Sequence, residues 1–261
     1  MCIRDREVLR GSAAAGMVTA EDLAARWSAD PVRLSVAERA AGDREWTFGH
    51  VVVDEAQELS PMAWRVLMRR CPTRSLTIVG DIAQTGALAG VASWSATLRP
   101  YVRERAVVET LTVNYRTPRP VMALATAVLR ATGVAVDEPS SPREGRWAPV
   151  VTRVDLPAGV AAVVRAELDL LEAGTLAVIA PRGIAPALAA TAAGLAEPDR
   201  SRVSVLTVEQ AKGLEFDAVV LVEPAAILAE SRRGANDLYV AITRATQRLH
   251  VLHDRPLPPG F

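Results

Sequence analysis

The sequence is poor in cysteine and contains no long apolar run. Its two cysteines, Cys2 and Cys71, are too few for a disulfide framework or a cysteine-based metal cluster. No apolar run reaches the ~18 residues that a membrane-spanning helix needs, and the first residues lack the apolar core of a signal peptide. These absences argue against a disulfide-stapled secreted domain, and they predict a cytoplasmic protein without a membrane partner.

An excess of positive charge is also missing. Lysine and arginine together number 30, as do aspartate and glutamate, so the formal net charge is zero. Proteins that hold nucleic acid by its phosphates usually carry a positive excess, although a local basic patch is compatible with these totals. Lys212 is the single lysine, and it does not lie in a Gly-x-x-x-x-Gly-Lys-Ser/Thr loop. The chain therefore lacks the usual lysine-containing cradle for nucleotide phosphates.

The pattern that is present alternates apolar strands with helices. At 261 residues the chain is long enough for one large or two modest domains. Continuous Val, Ile and Leu strands separated by helices predict an α/β fold of parallel sheets with helices on both faces. We predict strands over residues 48–53, 76–79, 110–113, 150–154, 176–180, 203–207, 218–222 and 249–253, and helices over residues 61–70, 118–133, 158–173, 184–196 and 236–245.

The domain organisation follows from where this alternation is interrupted. Residues 1–45 are polar and predicted to be helical, without a strand. Residues 134–148, rich in Pro, Ser, Arg and Glu, form the clear long loop. A boundary near residues 105–109 separates two strand–helix series, which predicts one domain over 1–107 and a second over 108–261.

Two carboxylates follow the first predicted strand. Asp54 and Glu55 stand at its carboxyl end, where ligands bind in open α/β sheets. In nucleotide hydrolysis one such carboxylate holds hydrated Mg²⁺ and the next polarises the attacking water. The alternative interpretation is a pair of surface acids that begins a loop.

Two further segments place polar side chains at strand ends. Gln84 follows the strand over 76–79 and could touch both a terminal phosphate and a neighbouring domain, although an ordinary turn is the alternative. Arg116 lies between a strand and a helix that Thr117 and Pro118 cap. An arginine held there could enter an interdomain cleft and neutralise charge on a transferred phosphoryl group. A surface arginine is the competing interpretation in this arginine-rich chain.

The last two segments lie near the carboxyl end of the chain. Lys212 and Gly213 stand between two strands and are followed by the carboxylates Glu215 and Asp217. In residues 238–245, helical spacing places Val240, Thr243 and Arg244 on roughly one side, and Arg244 is a second candidate phosphate contact.

In this order the five segments resemble helicase motifs II, III, IV, V and VI of the UvrD/Rep-like superfamily 1, over about residues 48–253. Five ordered motifs at plausible spacing are much more specific than any one of them. The resemblance implies P-loop NTPase architecture: RecA-like three-layer domains, 1A and 2A, with ATP and Mg²⁺ between them. Domain 1A, over 1–107, would be truncated and would lack its first strand and its Walker A loop.

The resemblance also implies a role for each matching residue. Asp54 would position Mg²⁺, Glu55 would activate water, and Gln84 would sense the γ-phosphate. Arg116 and Arg244 would reach the γ-phosphate from the second domain. The expected nucleotide-binding positions are Gln57, Gly80, Asp81, Lys212, Gly213 and Glu215, with Glu215 at the sugar and with Lys212 and Gly213 shaping the motif V loop.

Two departures from the family pattern refine these expectations. Because the Walker A loop is missing, we expect a fragment of an ATP-hydrolysing motor that needs its missing N-terminal part and has negligible ATPase activity alone. Motif III is followed by Trp94 as the single aromatic residue in 85–94, and residues 117–204 are too few for the large 2B insertion. Both features resemble the HelD branch, which binds RNA polymerase and uses ATP to release or recycle it. The alternatives are a UvrD-like DNA helicase or translocase in repair, and a RecA-like remnant that binds a partner without hydrolysis.

Overall fold

The computed structural model describes residues 47–134, 140–156 and 158–261. Residues 49–261 form one compact unit, which contains two parallel β-sheets. The helix expected within residues 1–45 lies outside the described residues. None of the helices in the described segments has the length and apolar character that a bilayer crossing requires.

The smaller sheet pairs β1 (Val51–Val53) with β2 (Leu76–Ile78) in parallel. Helix α1 (Pro61–Arg70) connects them. Its start follows the sequence prediction, because the Ser60 hydroxyl accepts the amide of Ala63 and Pro61 occupies the first turn. Trp64 of α1 is 1% exposed and packs with β1 and with helix α2 (Trp94–Val102), so this small sheet has its own apolar core.

The larger sheet has five parallel strands in the order β3-β7-β6-β4-β5. Because all its strands run in one direction, each connection crosses a face of the sheet and can cover it with helix. The strands are β3 (Val150–Arg153), β4 (Leu176–Ile179), β5 (Val203–Leu206), β6 (Phe216–Val222) and β7 (Ala245–His253).

Helices cover both faces of the five-stranded sheet. Apolar residues of α3 (Arg119–Ala131) and α9 (Gly234–Thr243) pack on one face, against Val219, Leu221 and Val251. On the other face, α4 (Val160–Leu170) and α5 (Ala185–Ala193) pack against Val178, Val220 and Leu252. The predicted α/β architecture is therefore confirmed. The shorter helices are α6 (Asp199–Arg202), α7 (Val208–Ala211) and α8 (Pro224–Glu230).

Two local predictions are wrong. Residues 110–113 do not form a strand: within the described residues their pairing is a single bridge between Val113 and Ser140, and the Leu111 side chain is 89% exposed. Among the described residues, no neighbouring strand buries the apolar run there. Thr117 does not cap α3 either, because Pro118 occupies the N-cap position and no side-chain cap bond forms. Helices α2, α6, α7 and α8 were not predicted. The domain boundary near 105–109 stays a prediction.

Candidate functional site

The acidic pair after β1 sits in a tight turn. Asp54 and Glu55 are both exposed, and Asp54 Oδ1 accepts the Glu55 amide at 2.8 Å. Glu55 has φ 50°, in the left-handed region, which costs a non-glycine residue about 1–2 kcal/mol. Such strain is concentrated at functional sites, where surrounding contacts hold it in place. Here the Gln57 side-chain amide donates to Glu55 Oε2 at 2.6 Å and fixes the carboxylate.

Gln57 joins this turn to the loop that follows β2. Its Oε1 atom accepts the Asp81 amide at 3.1 Å, and its side chain is 1% exposed. A Cβ added at Gly80 would lie 2.5 Å from Gln57 Oε1, so a side chain at this position would displace the Gln57 side chain. The structure thus places the buried Gln57 between the two loops, where it holds the Glu55 carboxylate and the Asp81 amide, and the exposed Gly80 lies against its side chain.

Asp81 orients Gln84. Asp81 Oδ1 accepts the Ala83 amide at 2.9 Å, and Asp81 Oδ2 accepts the Gln84 side-chain amide at 3.1 Å. With its nitrogen held by Asp81, Gln84 presents its oxygen to Arg244, whose Nη2 donates to Gln84 Oε1 at 3.0 Å. The structure therefore brings the two predicted site residues Gln84 and Arg244 into direct contact, across 160 positions of sequence.

Arg244 is a buried guanidinium whose contacts are with neutral groups. It follows α9, is 6% exposed, and donates to the carbonyl oxygens of Val240 at 3.1 Å and Leu214 at 3.2 Å. Burial lowers the pKa of Arg244, and the nearby Arg116 charge lowers it further, while the charges of Glu215 and Glu55 act in the opposite direction. Among the described residues, no carboxylate lies within ion-pair distance of Arg244.

Arg116 lies beside this guanidinium with a carboxylate of its own. Its Nε atom is 2.5 Å from Glu215 Oε1, and the arginine is exposed. The Asn114 side-chain oxygen accepts the amides of Arg116 and Thr117, both at 2.9 Å, and this turn holds the arginine in place. Glu55, Gln84, Arg116, Glu215 and Arg244 thus form one cluster, which we call the arginine cleft.

A second set of contacts lies beside the arginine cleft. Lys212 Nζ is 2.9 Å from Glu58 Oε1, and the two Glu58 oxygens also accept the amides of Gly86 at 2.8 Å and Ala87 at 3.0 Å. Burial alone raises the pKa of Glu58, but the Gly86 amide and the Lys212 side chain outweigh it, and the net pKa lies below the usual value. Lys212 therefore has a carboxylate partner, and Gly213 follows it with φ 71°.

Sequence reasoning missed two residues in this region, Glu58 and Asn236. Glu58 is the third carboxylate of the segment that begins at Asp54, and its place in a short 3₁₀ turn (Ala56–Glu58) turns it toward Lys212. Asn236 of α9 donates from its side chain to the Ala83 carbonyl at 2.8 Å. Proximity to Asp54 could have suggested Glu58, whereas nothing in the local sequence singles out Asn236.

Asp54 has the chemistry expected of a magnesium ligand. Among the described residues, no group of three or more His, Cys, Asp or Glu side chains is arranged to hold a metal ion. Mg²⁺ does not require such a group, because it is usually bound through one or two carboxylates, several waters and substrate phosphates. An exposed carboxylate next to the arginine cleft fits that mode of binding.

Comparisons with known proteins point to helicases. Residues 202–252 match the family model of the UvrD-like helicase C-terminal domain. No curated protein sequence matches the chain. The chain is structurally similar to the C-terminal domain of a possible DNA helicase from Lactobacillus plantarum WCFS1, at 24% identity and a TM-score of 0.40, covering 56% of this chain and 91% of that one.

Two viral helicase structures are also similar. The PRRSV helicase matches at 16% identity and a TM-score of 0.44, covering 78% of this chain. Arterivirus nonstructural protein 10, a helicase, matches at 19% identity and a TM-score of 0.43, also over 78% of this chain. This chain spans 34% and 39% of the length of these two proteins.

Proposed function

We propose that this chain is part of a superfamily 1 motor that hydrolyses ATP, and that the arginine cleft faces the nucleotide phosphates. The observation that carries the proposal is the contact of the buried Arg244 with Gln84. An arginine buried among neutral acceptors retains its charge for an incoming anion. Positively charged groups that are already in place stabilise phosphoryl transfer without reorganisation.

Each cleft residue has a role in this proposal. Asp54 would hold Mg²⁺, which when bound neutralises charge on the phosphate oxygens. Glu55, fixed by Gln57, accepts a proton from the attacking water at its carboxylate. Arg116 and Arg244 stabilise charge on the transferred phosphoryl group. Gln84, through its bonds to Arg244 and Asp81, links the presence of the γ-phosphate to the position of the loop after β2.

Glu215 and Asp81 support these groups. Glu215 pairs with Arg116 and keeps this exposed arginine beside the cleft until a phosphate replaces the carboxylate; its expected contact with the nucleotide sugar is part of the same proposal. Asp81 holds Gln84 by its amide nitrogen. Lys212 and Gly213 shape the neighbouring motif V loop. The division into lobes over 1–107 and 108–261 belongs to this proposal too.

The phosphate-cradling loop is not part of this sequence, which has no Gly-x-x-x-x-Gly-Lys-Ser/Thr segment. We therefore expect the isolated chain to bind Mg²⁺-ATP weakly and to show no measurable ATPase turnover. Turnover comparable to that of a complete motor would contradict this expectation.

The test measures binding of a fluorescent ATP analogue, with Mg²⁺, to the chain and to Arg116→Gln. Loss of one charge-assisted contact should weaken binding by about tenfold. The matched control is Arg153→Gln, which removes an exposed arginine 3.7 Å from Asp254, outside the cleft. Equal affinity of Arg116→Gln and the unaltered chain would contradict the proposal, as would absence of binding at millimolar nucleotide.

For the macromolecular partner we propose RNA polymerase, in a release or recycling role of the HelD type. The support is the aromatic-poor segment 85–94 and the short interval 117–204. Trp94 is partly buried in the core of the small sheet, which leaves this segment little aromatic surface for stacking on bases. A DNA helicase or translocase, and a partner-binding protein without hydrolysis, are the alternatives.

Two binding measurements separate these partners. Retention on immobilised RNA polymerase, with weak and salt-insensitive binding of a single-stranded oligodeoxynucleotide, is the expected result. Strong oligonucleotide binding that falls steeply with salt, without retention on the polymerase, would favour the DNA motor.

A further inference from the structure

A second arginine-lined pocket lies outside the arginine cleft. It is a cavity of about 350 Å³ between the segment before β3, the carboxyl end of α4 and the first half of β7. Its charged lining residues are Arg143, Arg146 and Arg248, together with Glu172. None of them belongs to the helicase-like motifs, so the proposed function does not account for this pocket.

Arg248 has an unused hydrogen-bond donor there. The residue is 7% exposed, and its guanidinium forms a two-bond fork with Glu167, from Nε at 2.6 Å and from Nη2 at 3.1 Å. Its Nη1 atom is buried and has no partner within residues 47–134, 140–156 and 158–261. A buried donor without an acceptor destabilises the folded chain, so an acceptor that reached this atom from the pocket would relieve the penalty.

The indole of Trp147 holds two of the arginines. The Arg248 guanidinium carbon lies 4.3 Å from the ring centroid and that of Arg146 lies 4.8 Å from it, both within cation–π range. Stacking on the ring fixes both guanidinium planes. The N–H edge of Arg146 is left to bind a ligand, whereas Arg248 offers only Nη1, because its other edge is bonded to Glu167. Arg143 is exposed, and its Nη1 donates to the Arg116 carbonyl at 3.0 Å.

We propose that this arginine pocket binds a phosphate group. Guanidinium forks match the oxygen geometry of phosphate, and those of Arg143 and Arg146 line the pocket, to which Arg248 adds its unpaired Nη1 donor. Glu167 balances the charge of Arg248, and Glu172 balances one of the two remaining arginines, Arg143 and Arg146, so the pocket keeps an excess of one positive charge. Ligand pockets span roughly 300–1,000 Å³, so the cavity can accept a phosphate compound as large as a mononucleotide.

The pocket is distinct from the arginine cleft but adjoins it. Pro118 lines the pocket, two positions after Arg116. A ligand that drew Arg143 into the pocket would compete with the Arg143 bond to the Arg116 carbonyl. Through this bond, a ligand in the pocket can change the position of Arg116 in the arginine cleft. The proposal of a phosphate site does not depend on whether the cleft itself binds ATP.

The test compares Arg143→Gln/Arg146→Gln with the unaltered chain by isothermal titration calorimetry. The probes are inorganic pyrophosphate, adenosine monophosphate and a single-stranded oligodeoxynucleotide. Loss of two arginine contacts should weaken the bound probe by about tenfold or more. The matched control is Arg65→Gln/Arg69→Gln, two exposed arginines of α1, which should bind as the unaltered chain does. Both double variants keep Arg248, and thermal unfolding checks that they fold.

The probes distinguish the source of the phosphate. Binding of pyrophosphate or the mononucleotide, lost in the pocket variant, would assign a small phosphate compound. A nucleic-acid backbone would be assigned by a change in the salt dependence of oligonucleotide binding. The slope of log K against log salt concentration should be smaller by about 1.4 in the pocket variant, because two phosphate contacts on a single strand are lost. The proposal is overturned if no probe binds the unaltered chain, or if the pocket variant binds every probe as tightly as the control.

Discussion

Arg244 and Arg248 are four positions apart, both are buried, and they are held in opposite ways. Arg248 forms a two-bond fork with Glu167, so its charge is matched inside the protein. Arg244 donates to two backbone carbonyls and to Gln84, and within the described residues no carboxylate is in ion-pair contact with it. Arg248 is therefore neutralised by a carboxylate of the folded chain, whereas the charge of Arg244 is available to pair with a bound anion.

The difference follows from where each side chain lies. Every second residue of β7, namely Arg248, His250 and Leu252, faces α4. Glu167 of this helix accepts the bonds from Arg248 and His250. Arg244 comes just before β7, at the end of α9, and faces the loop after β2. A charge buried with its counter-ion stabilises the fold only as a pair, whereas a charge buried without one stabilises a state with an anion bound.

The largest effect that tests this comparison is expected from Glu167→Ala. Removal of the carboxylate leaves Arg248 buried and uncompensated, and it also removes the acceptor of His250, 2.9 Å away. Breaking a buried pair in this way costs about 3–5 kcal/mol. We expect that loss in the free energy of unfolding from urea titration.

The matched control is Glu197→Gln, which breaks an exposed pair with Arg200. Surface pairs contribute about 0–1 kcal/mol, so its unfolding curve should barely move. Similar small losses in both variants would show that Glu167 does not compensate Arg248.

Acid should weaken the same pair without any substitution. Burial alone raises the pKa of Glu167, but the bonds and charges of His250 and Arg248 outweigh it and lower the pKa from 4.5 to about 2. Because the folded pKa lies below the unfolded one, this contribution is complete above about pH 4.5 and is lost as the pH falls toward 2. It amounts to about 3 kcal/mol.

The measurement is urea unfolding at several pH values between 2 and 6, on the unaltered chain and on Glu167→Gln. We expect the difference in stability between the two to shrink as the pH falls through this window, since the glutamine does not titrate. A difference that stays constant from pH 5 to pH 2 would contradict the lowered pKa of Glu167.

Arg248→Gln and Arg244→Gln test the two arginines side by side. The first leaves Glu167 buried without its main partner, with an expected loss of about 3 kcal/mol. The second removes bonds to neutral groups and leaves no charge unpaired, with an expected loss of about 1 kcal/mol. Urea unfolding of both variants should give a gap of about 2 kcal/mol between them. Equal losses would remove the distinction between the two sites.

The sequence predicted the sheet better than the charge pairs. Strands such as β4 and β6 are buried on both faces, so their apolar runs are visible without the structure. The same signal failed at residues 110–113, where an apolar run stays exposed because no strand in the described part of the chain covers it. Local patterns give the type of an element but not its partner.

The candidate site shows the same limit. Gln84 and Arg244 were proposed separately, from a strand end and from a helix, and their contact depends on how α9 packs against the loop after β2. Glu167 was part of an amphipathic helix by pattern and gave no sign of its partner 81 positions later. The positions of Asp54 and Glu55 followed from one strand, whereas the left-handed turn at Glu55 did not.

The smallest expected effect concerns Lys212. Like Arg248 it is paired with a carboxylate, Glu58, but this pair is only partly buried. The Lys212 and Glu58 side chains are 26% and 28% exposed, and Glu58 keeps two backbone amide donors when the lysine is removed. Lys212→Met, which retains the apolar stem, should therefore lower the free energy of unfolding by only about 1 kcal/mol, as measured with urea.

The same substitution should also raise the pKa of Glu58 toward its usual value, as followed by NMR titration of the carboxyl carbon. The control is Arg182→Gln, which breaks the exposed pair with Glu209 and should leave the Glu58 titration unchanged. An unchanged pKa of Glu58 in Lys212→Met would mean that the amides of Gly86 and Ala87 alone lower it.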